Sequence, residues 1–462
     1  MNSIACVPRP SPICAIPWIA SAVPWRAVDR MEKSGVLVNS GSGGGIRVAF
    51  TGSLPEPEDI IANPAYSPAA ALFQEQLLEA LDASAECEVS HVFAGRPLPS
   101  YPRHARIAIR GARASRAGRF PMSRLGFLNL GLLKPATLSL SLLPRVLAWA
   151  WRERARSRLI LLYNTTSPPA IIAVLAGLLS RTQVVAIVAD INVPGSGLVS
   201  RSLLRRLEYR LQVRTLRYLD GVVVLTERMR VDFAPRLPAL LMEGAVSDTL
   251  LQDPLPGRAS GTGACAIMYA GHLSALKGLP LLLEAFERLV GPGYELWLTG
   301  DGPMRPDVEA AAQRDPRIRY FGMLPYERVV TLLRRATVLV NPHSGAMASS
   351  RYLFPSKLLE FLASGRPVIT TVSTPEVRQE YGAVAYLLEE ESAEGLRAMI
   401  ETVASLPERE RQARGEAARM LLRERKTWRT QGARIAHFLA RVVREGSGLP
   451  ERELVGPHAG RQ

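Results

Sequence analysis

The sequence predicts an α/β protein made of two doubly wound parallel-sheet units in tandem. Three observations carry this. Short apolar runs alternate with segments of helical spacing along most of the chain, which is the pattern of strands buried on both faces and covered by helices. The alternation breaks once, at the Pro/Gly/Ser-rich "LQDPLPGRASGTGA" of residues 251–264, and then restarts. The length of 462 residues exceeds what one ordinary core organises.

Taken in order, residues 1–45 read as a disordered extension. "CVPRPSPICAIPWIASAVPW" is apolar, but its prolines deny it the unbroken stretch of a signal peptide, and Met31 is an alternative start. The first unit spans 46–250. "IRVAF" is a strand ending in the turn "TGSLPEP", and "AAALFQEQLLEALDA" has helical spacing. "RLILLYNTTSPP" is a buried strand stopped by Pro168 and Pro169, "AIIAVLAGLLS" a helix, and "TQVVAIVADINVPGSG" a strand with a polar exit. "LLRRLEYRLQVRTLRYLD" is an amphipathic helix, followed by the strands "GVVVLT" and "ALLME". The second unit spans 265–425. Its strands are "CAIMYAG", "YELWLTGDG", "RIRYFG", "TVLVNPHSG" and "PVITTV", with helices at "GLPLLLEAFERLV" and "PYERVVTLLRRA". A last amphipathic helix, "TWRTQGARIAHFLARVV", opens a tail over 426–462. Ligands are expected where the strands' carboxyl ends face a cleft between the units.

Basic residues outnumber acidic ones, 57 to 42, for a net charge of +15. That surplus suits anionic partners such as nucleotides, phosphate groups or an anionic membrane, and equally an Arg-rich proteome. The four cysteines, Cys6, Cys14, Cys87 and Cys265, are scattered. They form no disulfide framework and no metal-binding spacing, which fits a reducing cytoplasm. The glycine-rich "GSGGGI" and "GTGACAI" precede strands, whereas a dinucleotide fingerprint follows a strand and opens a helix.

One stretch is chemically odd. "YLFPSKLLEFLASGRPVI", residues 352–369, is apolar yet holds a proline, a lysine and a glutamate at close spacing. Pro355 suits the first position of a helix and Gly365 its stop, predicting a helix over 355–363. Its start offers free N–H groups at Ser356 and Lys357 and the positive end of the dipole, which together suit a phosphate. Lys357 and Glu360 share a face, and a glutamate one turn in can accept hydrogen bonds from ribose hydroxyls. The competing reading is a helix capped by Ser356 with Glu360 simply exposed. Nearby exit loops bring further polar groups: His272 and Lys277 in "AGHLSALKGLP", Gly300 and Gly302 in "LTGDGP", and Ser344 and Gly345 in "NPHSGAMASS".

These segments, in this order, resemble the nucleotide-binding half of retaining glycosyltransferases of family 4, which have the GT-B fold. "YAGHLSALKGLPLLLEAF" is similar to that family's "GRL…KG…LLEAF", "LWLTGDGP" to its "GDGP" strand, and "IRYFGMLPYERVVTLLRRATVLVNPH" to its "V.F.G…L…AD..V.PS". "FPSKLLEFLASGRPVI" is similar to the variant written "PSK..EY.A.G.PVI". The match spans about 266–372; the first half fits more loosely, through "LTERM", "EGAV" and the general layout. The resemblance implies two Rossmann-like domains facing a central cleft and transfer of a sugar from a nucleotide-sugar donor to a carbohydrate or lipid-linked acceptor, with retention. It implies that Lys277 holds the diphosphate, Glu360 the ribose, and Ser356, Lys357, Ser344, Gly345, Gly300 and Gly302 the rest of the donor. It implies no cofactor and no metal. Two departures stand out. His272 replaces the usual arginine, and Tyr352 replaces the glutamate that normally meets the transferred sugar.

The first unit is expected to bind the acceptor. Candidates are Asn63, Tyr66, Asn164 and Asp190, with Thr51 and Thr165 at strand exits, while "PEPED" reads as a solvated turn. Arg103, Arg106, Arg110, Arg113, Arg116, Arg119 and Arg124 precede an apolar stretch holding Trp149 and Trp151. That combination suits peripheral contact with an anionic membrane at its cytoplasmic face, as in surface-polysaccharide assembly; a packed helix with solvated arginines is the alternative. Other readings are a nucleotide-sugar epimerase of the same fold, a basic nucleic-acid-binding protein, and an inactive relative that binds a partner. No acid/base pair supports the first, and no nucleic-acid motif supports the second.

Overall fold

A computed structural model describes residues 45–446, apart from 57, 60–62, 64–67, 118, 132, 192, 194–202, 253–263, 292 and 346–349. Most of the extension read at 1–45, the linker at 253–263 and Tyr66 therefore lie outside the described residues.

The first unit runs β1 (Ile46–Ser53), α1 (Pro68–Asp82), β2 (Cys87–Gly95), β3 (Ala108–Ile109), β4 (Ala112–Ala117), β5 (Phe120–Arg124) and β6 (Phe127–Leu128). It continues through α2 (Leu133–Arg152), β7 (Arg158–Tyr163), α3 (Pro169–Ser180), β8 (Gln183–Val188) and α4 (Leu203–Leu216). It ends with β9 (Gly221–Val224), α5 (Glu227–Phe233), β10 (Ala239–Leu241) and α6 (Asp248–Gln252). Its sheet has the order β10-β9-β8-β7-β1-β2-β5-β4. All neighbours pair parallel except β4 and β5, which are antiparallel at the edge. The later part of the arginine block, from Arg113 to Arg124, thus lies in a hairpin. Arginines suit such an edge, because charge there blunts pairing with other chains. Arg124 turns inward to the carbonyl of Leu54.

The second unit runs β11 (Cys265–Ala270), α7 (Leu279–Glu287), β12 (Tyr294–Thr299), α8 (Arg305–Arg314), β13 (Ile318–Tyr320), α9 (Tyr326–Arg335) and β14 (Val338–Asn341). Then come α10 (Lys357–Ala363), β15 (Val368–Thr371), α11 (Pro375–Tyr381), β16 (Tyr386–Leu388), α12 (Ala393–Ser405), α13 (Glu408–Arg425) and α14 (Trp428–Glu445). Its sheet, β13-β12-β11-β14-β15-β16, is parallel throughout. The α/β fold of two doubly wound parallel sheets expected from the sequence is the fold observed.

Three local readings need correction. Leu251 and Gln252, read as linker, close α6, because Leu250 and Leu251 are buried against the second unit's core. Asp59 of "PEPED" is fully buried, and Arg96 clasps its two oxygens at 2.5–3.1 Å. Trp149 is buried on the sheet, where its indole N–H donates to Ser90 Oγ at 3.0 Å. Trp149 and Trp151 therefore do not share one surface.

The last helix returns to the first unit. Trp428, Ile435, Phe438, Leu439 and Val442 of α14 are buried with Leu77 and Leu81 of α1 and Val48 and Phe50 of β1. Gly432 lets α14 approach closely: a Cβ there would lie 2.5 Å from the Cβ of Ala80. Where the chain crosses back, Lys426 Nζ sits 2.6 Å from Glu243 Oε2 and 3.7 Å from Glu380 Oε2. All three side chains are largely shielded from water. Val246 and Thr427 form a single parallel bridge beside them.

Candidate active site

The carboxyl ends of β11, β12 and β14 carry the loops picked out in the sequence. After β11 the chain makes a short turn over Ala275–Lys277 and enters α7 through Gly278. Gly278 has φ +74°, and a Cβ there would fall 1.6 Å from the carbonyl oxygen of Pro342. The β11 and β14 exits are therefore pressed together at backbone distance, which sets Lys277 beside the residues after β14. Gly300 does the same between β12 and β11: its φ is +134°, and a Cβ would lie 1.8 Å from the oxygen of Gly271. His272 stays exposed, its carbonyl accepting from Tyr269 Oη at 2.8 Å.

The helix expected over 355–363 begins two residues later. Pro355 and Ser356 lead in through tight turns, Leu358 N–H to Pro355 O at 2.8 Å and Leu359 N–H to Ser356 O at 3.2 Å, that run into the first turn of α10. Ser356 makes no side-chain cap, so the capping alternative does not hold. Lys357 Nζ lies 2.7 Å from Glu360 Oε2, as their shared face requires.

Charge knits these parts together. Lys277 is only partly exposed, and burial together with the nearby Lys357 ammonium lowers its pKa, while Asp190 opposes the shift. Asp190 comes from the first unit, at the exit of β8. Its surface reaches solvent, but protein crowds it on both sides of the cleft, and that desolvation holds its carboxyl above the usual range, with Lys277 pulling the other way. Asp190, Lys277, Lys357 and Glu360 thus form a line of alternating and neighbouring charge that crosses from one unit to the other.

Asn164 positions Asp190. It adopts φ +61°, and its Oδ1 accepts from the N–H groups of Ala189 (2.8 Å) and Asp190 (3.1 Å). Asn63 is engaged elsewhere, donating to Pro97 O at 2.6 Å. The hydroxyls of Thr51 and Thr165 are buried with no hydrogen-bond partner among the described residues.

Three residues in this region carry roles the sequence did not signal. Glu391, in an acidic run that looks merely solvated, binds Gly345 N–H at 2.6 Å and Ser344 Oγ at 3.2 Å, tethering the β14 exit loop. Glu376 reaches across to the first unit, where its Oε1 accepts from Glu227 N–H at 2.6 Å at the start of α5. His343 follows β14 at 1% exposure, and its Nε2 has no partner among the described residues. Burial, with the Lys277 charge adding to it, pushes its pKa down to about 3. A histidine held neutral this way stabilises the fold fully above its unfolded pKa near 6.5 and loses that contribution as pH falls towards 3. Wild type is therefore expected to lose up to about 1.4 kcal/mol more stability per pH unit than His343→Gln between pH 6 and 4. Parallel denaturation curves for the two proteins across that range would contradict it.

Tyr352 is placed away from the donor loops. It is 6% exposed, packs 5.0 Å from the Phe233 ring of α5, and donates to Asp232 Oδ2 at 2.7 Å. Thr226 Oγ1 meets the neighbouring Arg351 carbonyl at 3.4 Å. This segment fastens the second unit onto the first.

Comparison with known proteins agrees with this layout. The family description "Glycosyl transferases group 1" matches residues 264–405. WcaI of Escherichia coli (strain K12), assigned by its name to colanic acid biosynthesis as a glycosyl transferase, is 30% identical over 165 residues. That match covers 34% of this chain and 40% of WcaI, so the chain spans less than half the length of that relative. Among solved structures, sucrose-phosphate synthase from Thermosynechococcus elongatus aligns with a TM-score of 0.61 at 17% identity, over 86% of this chain and 99% of the other. Alr3699/HepE of Anabaena, solved with UDP, aligns at 0.58 and 15% identity, over 86% and 100%. WaaG, from lipopolysaccharide biosynthesis, aligns at 0.56 and 15%, again over 86% and 100%. Two facing parallel α/β units that match these structures along nearly their whole length give the chain the GT-B fold, and residues 264–405 within it match the glycosyl transferases group 1 description.

Proposed function

We propose that the protein transfers a sugar from a nucleoside-diphosphate sugar to an acceptor hydroxyl, with retention, in the assembly of a surface polysaccharide or glycolipid. The observation that carries this reading is the charge line Asp190–Lys277–Lys357–Glu360 across the cleft. A departing diphosphate accumulates negative charge, and a partly desolvated ammonium fixed beside it stabilises that charge where water cannot. Lys277 and Lys357 take that role, with His272 at the rim. Glu360 takes the ribose, giving up part of its pairing with Lys357 to do so. Gly300 and Gly302 let the backbone approach the base, and Ser344 and Gly345, held by Glu391, complete the donor side. The first unit presents the acceptor, with Asp190 nearest the reacting centre. The anomeric configuration is kept because the donor phosphate itself takes the acceptor proton on the face the leaving group vacates.

The group 1 match and WcaI support glycosyl transfer over the epimerase and nucleic-acid readings. The complexes of HepE with UDP and UDP-glucose make a uridine nucleotide the first donor to test. Nucleotide sugars are cytoplasmic metabolites, and the reaction is placed on that side of the membrane.

The test is calorimetric titration of UDP, GDP and ADP into wild type and Glu360→Ala. One nucleotide is expected to bind, and the variant to bind it at least about 1 kcal/mol more weakly. Equal binding by both proteins would remove Glu360 from the donor site, and binding of none would remove the site.

A further inference from the structure

The outward face of α2 has an unusual composition. Its exposed positions before the terminal Arg152 are Leu133, Ala136, Leu140, Pro144, Ala148 and Trp151, three or four residues apart; none of these six is charged, and the Trp151 indole N–H is their one hydrogen-bonding side-chain group. Leu140 is 70% and Trp151 67% exposed. α3 packs along α2 and continues the surface with Leu175, Leu178 and Leu179, of which Leu178 is 66% exposed. Arg158, at the start of β7, bonds Ser180 O at 2.8 Å and Thr182 Oγ1 at 2.9 Å, so α3 ends at the amino ends of the strands, where α2 leads into β7. A stripe about 30 Å long, the length of a 20-residue helix, is far more exposed apolar surface than a soluble face usually carries.

Its borders are basic. Beyond α3 lies α4, whose exposed positions include Arg206, Arg210 and Arg214 together with Leu203 and Leu207, with Arg217 exposed just after it. Its one acid, Glu208, turns inward to Ser167 N–H at 2.9 Å. α2 and α3 contain no Asp or Glu. At the end of α2, the Arg154 guanidinium stacks 4.7 Å over the Trp151 ring, with Arg152 and Arg156 exposed beside it. An arginine near a helix carboxyl end offsets the dipole, but the leucines and the tryptophan gain nothing from water.

We propose that this α2–α3 face seats in the interface of an anionic lipid bilayer, with the arginines of α4 and of the α2 exit on lipid phosphates. Charge complementarity decides the occupant: an acid-free apolar stripe with a Trp/Arg tip and an arginine-rich flank is the pattern that lies flat in a headgroup layer. Among the described residues no helix is long and apolar enough to cross a membrane, so the contact is one of lying on. The helices run antiparallel to the strands they precede, so their amino ends sit at the cleft side. The bilayer therefore reaches the rim of the cleft, and the acceptor hydroxyl belongs to a lipid-linked saccharide. This last step rests on the proposed glycosyl transfer; the membrane contact does not.

Flotation of the full chain with vesicles tests it. Binding to phosphatidylglycerol-rich vesicles is expected, with little binding to pure phosphatidylcholine. Leu140→Ser combined with Leu178→Ser is expected to weaken binding by about tenfold or more. Arg206→Glu with Arg210→Glu is expected to abolish the preference for anionic lipid. Nucleoside-diphosphate titration on the same variants is expected to match wild type, which also reports that they are folded. A full chain that floats with neither vesicle would overturn the proposal. So would a dimer in sedimentation that the serine variant dissolves, because the face would then belong to a second copy. Vesicle binding without any nucleotide binding would sink the donor site and leave the surface standing.

Discussion

Replacing Lys277 by alanine is expected to lower kcat/KM for the nucleotide sugar about a hundred- to a thousandfold, the range found for removing one preorganised donor from a site of developing charge. The loss should fall on kcat as well as on donor binding, because the charge on the diphosphate is largest when the glycosidic bond is nearly broken. Two features of the structure argue for so large an effect. Gly278 presses the adjoining backbone against Pro342, so the lysine is held at a fixed place beside the β14 exit. The lysine is also partly desolvated, and its ammonium interacts more strongly there than at an open surface. Lys277→Arg is expected to recover only part of the rate, since the guanidinium fork does not fit the space of a point charge. A thermal midpoint close to wild type in both variants separates this from misfolding. Rates within threefold of wild type would remove Lys277 from the reaction.

The largest expected effect on stability lies elsewhere. Lys426→Met leaves Glu243 shielded from water without its counter-charge, and removes one ion pair from Glu380. Breaking one side of a buried pair costs about 3–5 kcal/mol, whereas replacing both partners by apolar groups is often nearly neutral. The single variant should therefore unfold at markedly lower denaturant, and Lys426→Met combined with Glu243→Leu should regain most of the loss. A single variant within about 1 kcal/mol of wild type would show that water reaches the pair. Because Lys426 lies where the chain crosses from the second unit back to the first, the variant also tests whether that crossing holds the units in register.

The sequence revealed those parts of the molecule whose physics is local. Strand and helix periods, the turn glycines and the Lys357–Glu360 spacing all act within a few residues, and each was legible before any coordinates. The helix start was misplaced by two residues because Pro355 suits a tight turn as well as a first helical position. What stayed hidden depends on partners far along the chain. Nothing near Asp59 announces Arg96, and nothing in the acidic run around Glu391 announces the loop it holds. Trp149 and Trp151 look alike in the sequence, yet helical geometry sends one into the core and the other outward. Tyr352 shows the same limit: its pocket is made of Phe233 and Asp232, more than a hundred positions earlier.

The return of α14 to the first unit has a consequence for how the protein is made. Trp428, Phe438 and Leu439 complete the core that Val48, Phe50 and Leu77 begin. The first half of the chain therefore leaves the ribosome with one face of its sheet only partly covered, by α1. It stays so until α14 has been synthesised, because the helix that seals it follows the whole second unit in the chain. The second unit, made later, already has its own sheet and helices before α14 emerges. Order of synthesis and order of completion are thus reversed, and the half waiting longest is the one whose apolar surface most needs a chaperone or a closed partner in the interval.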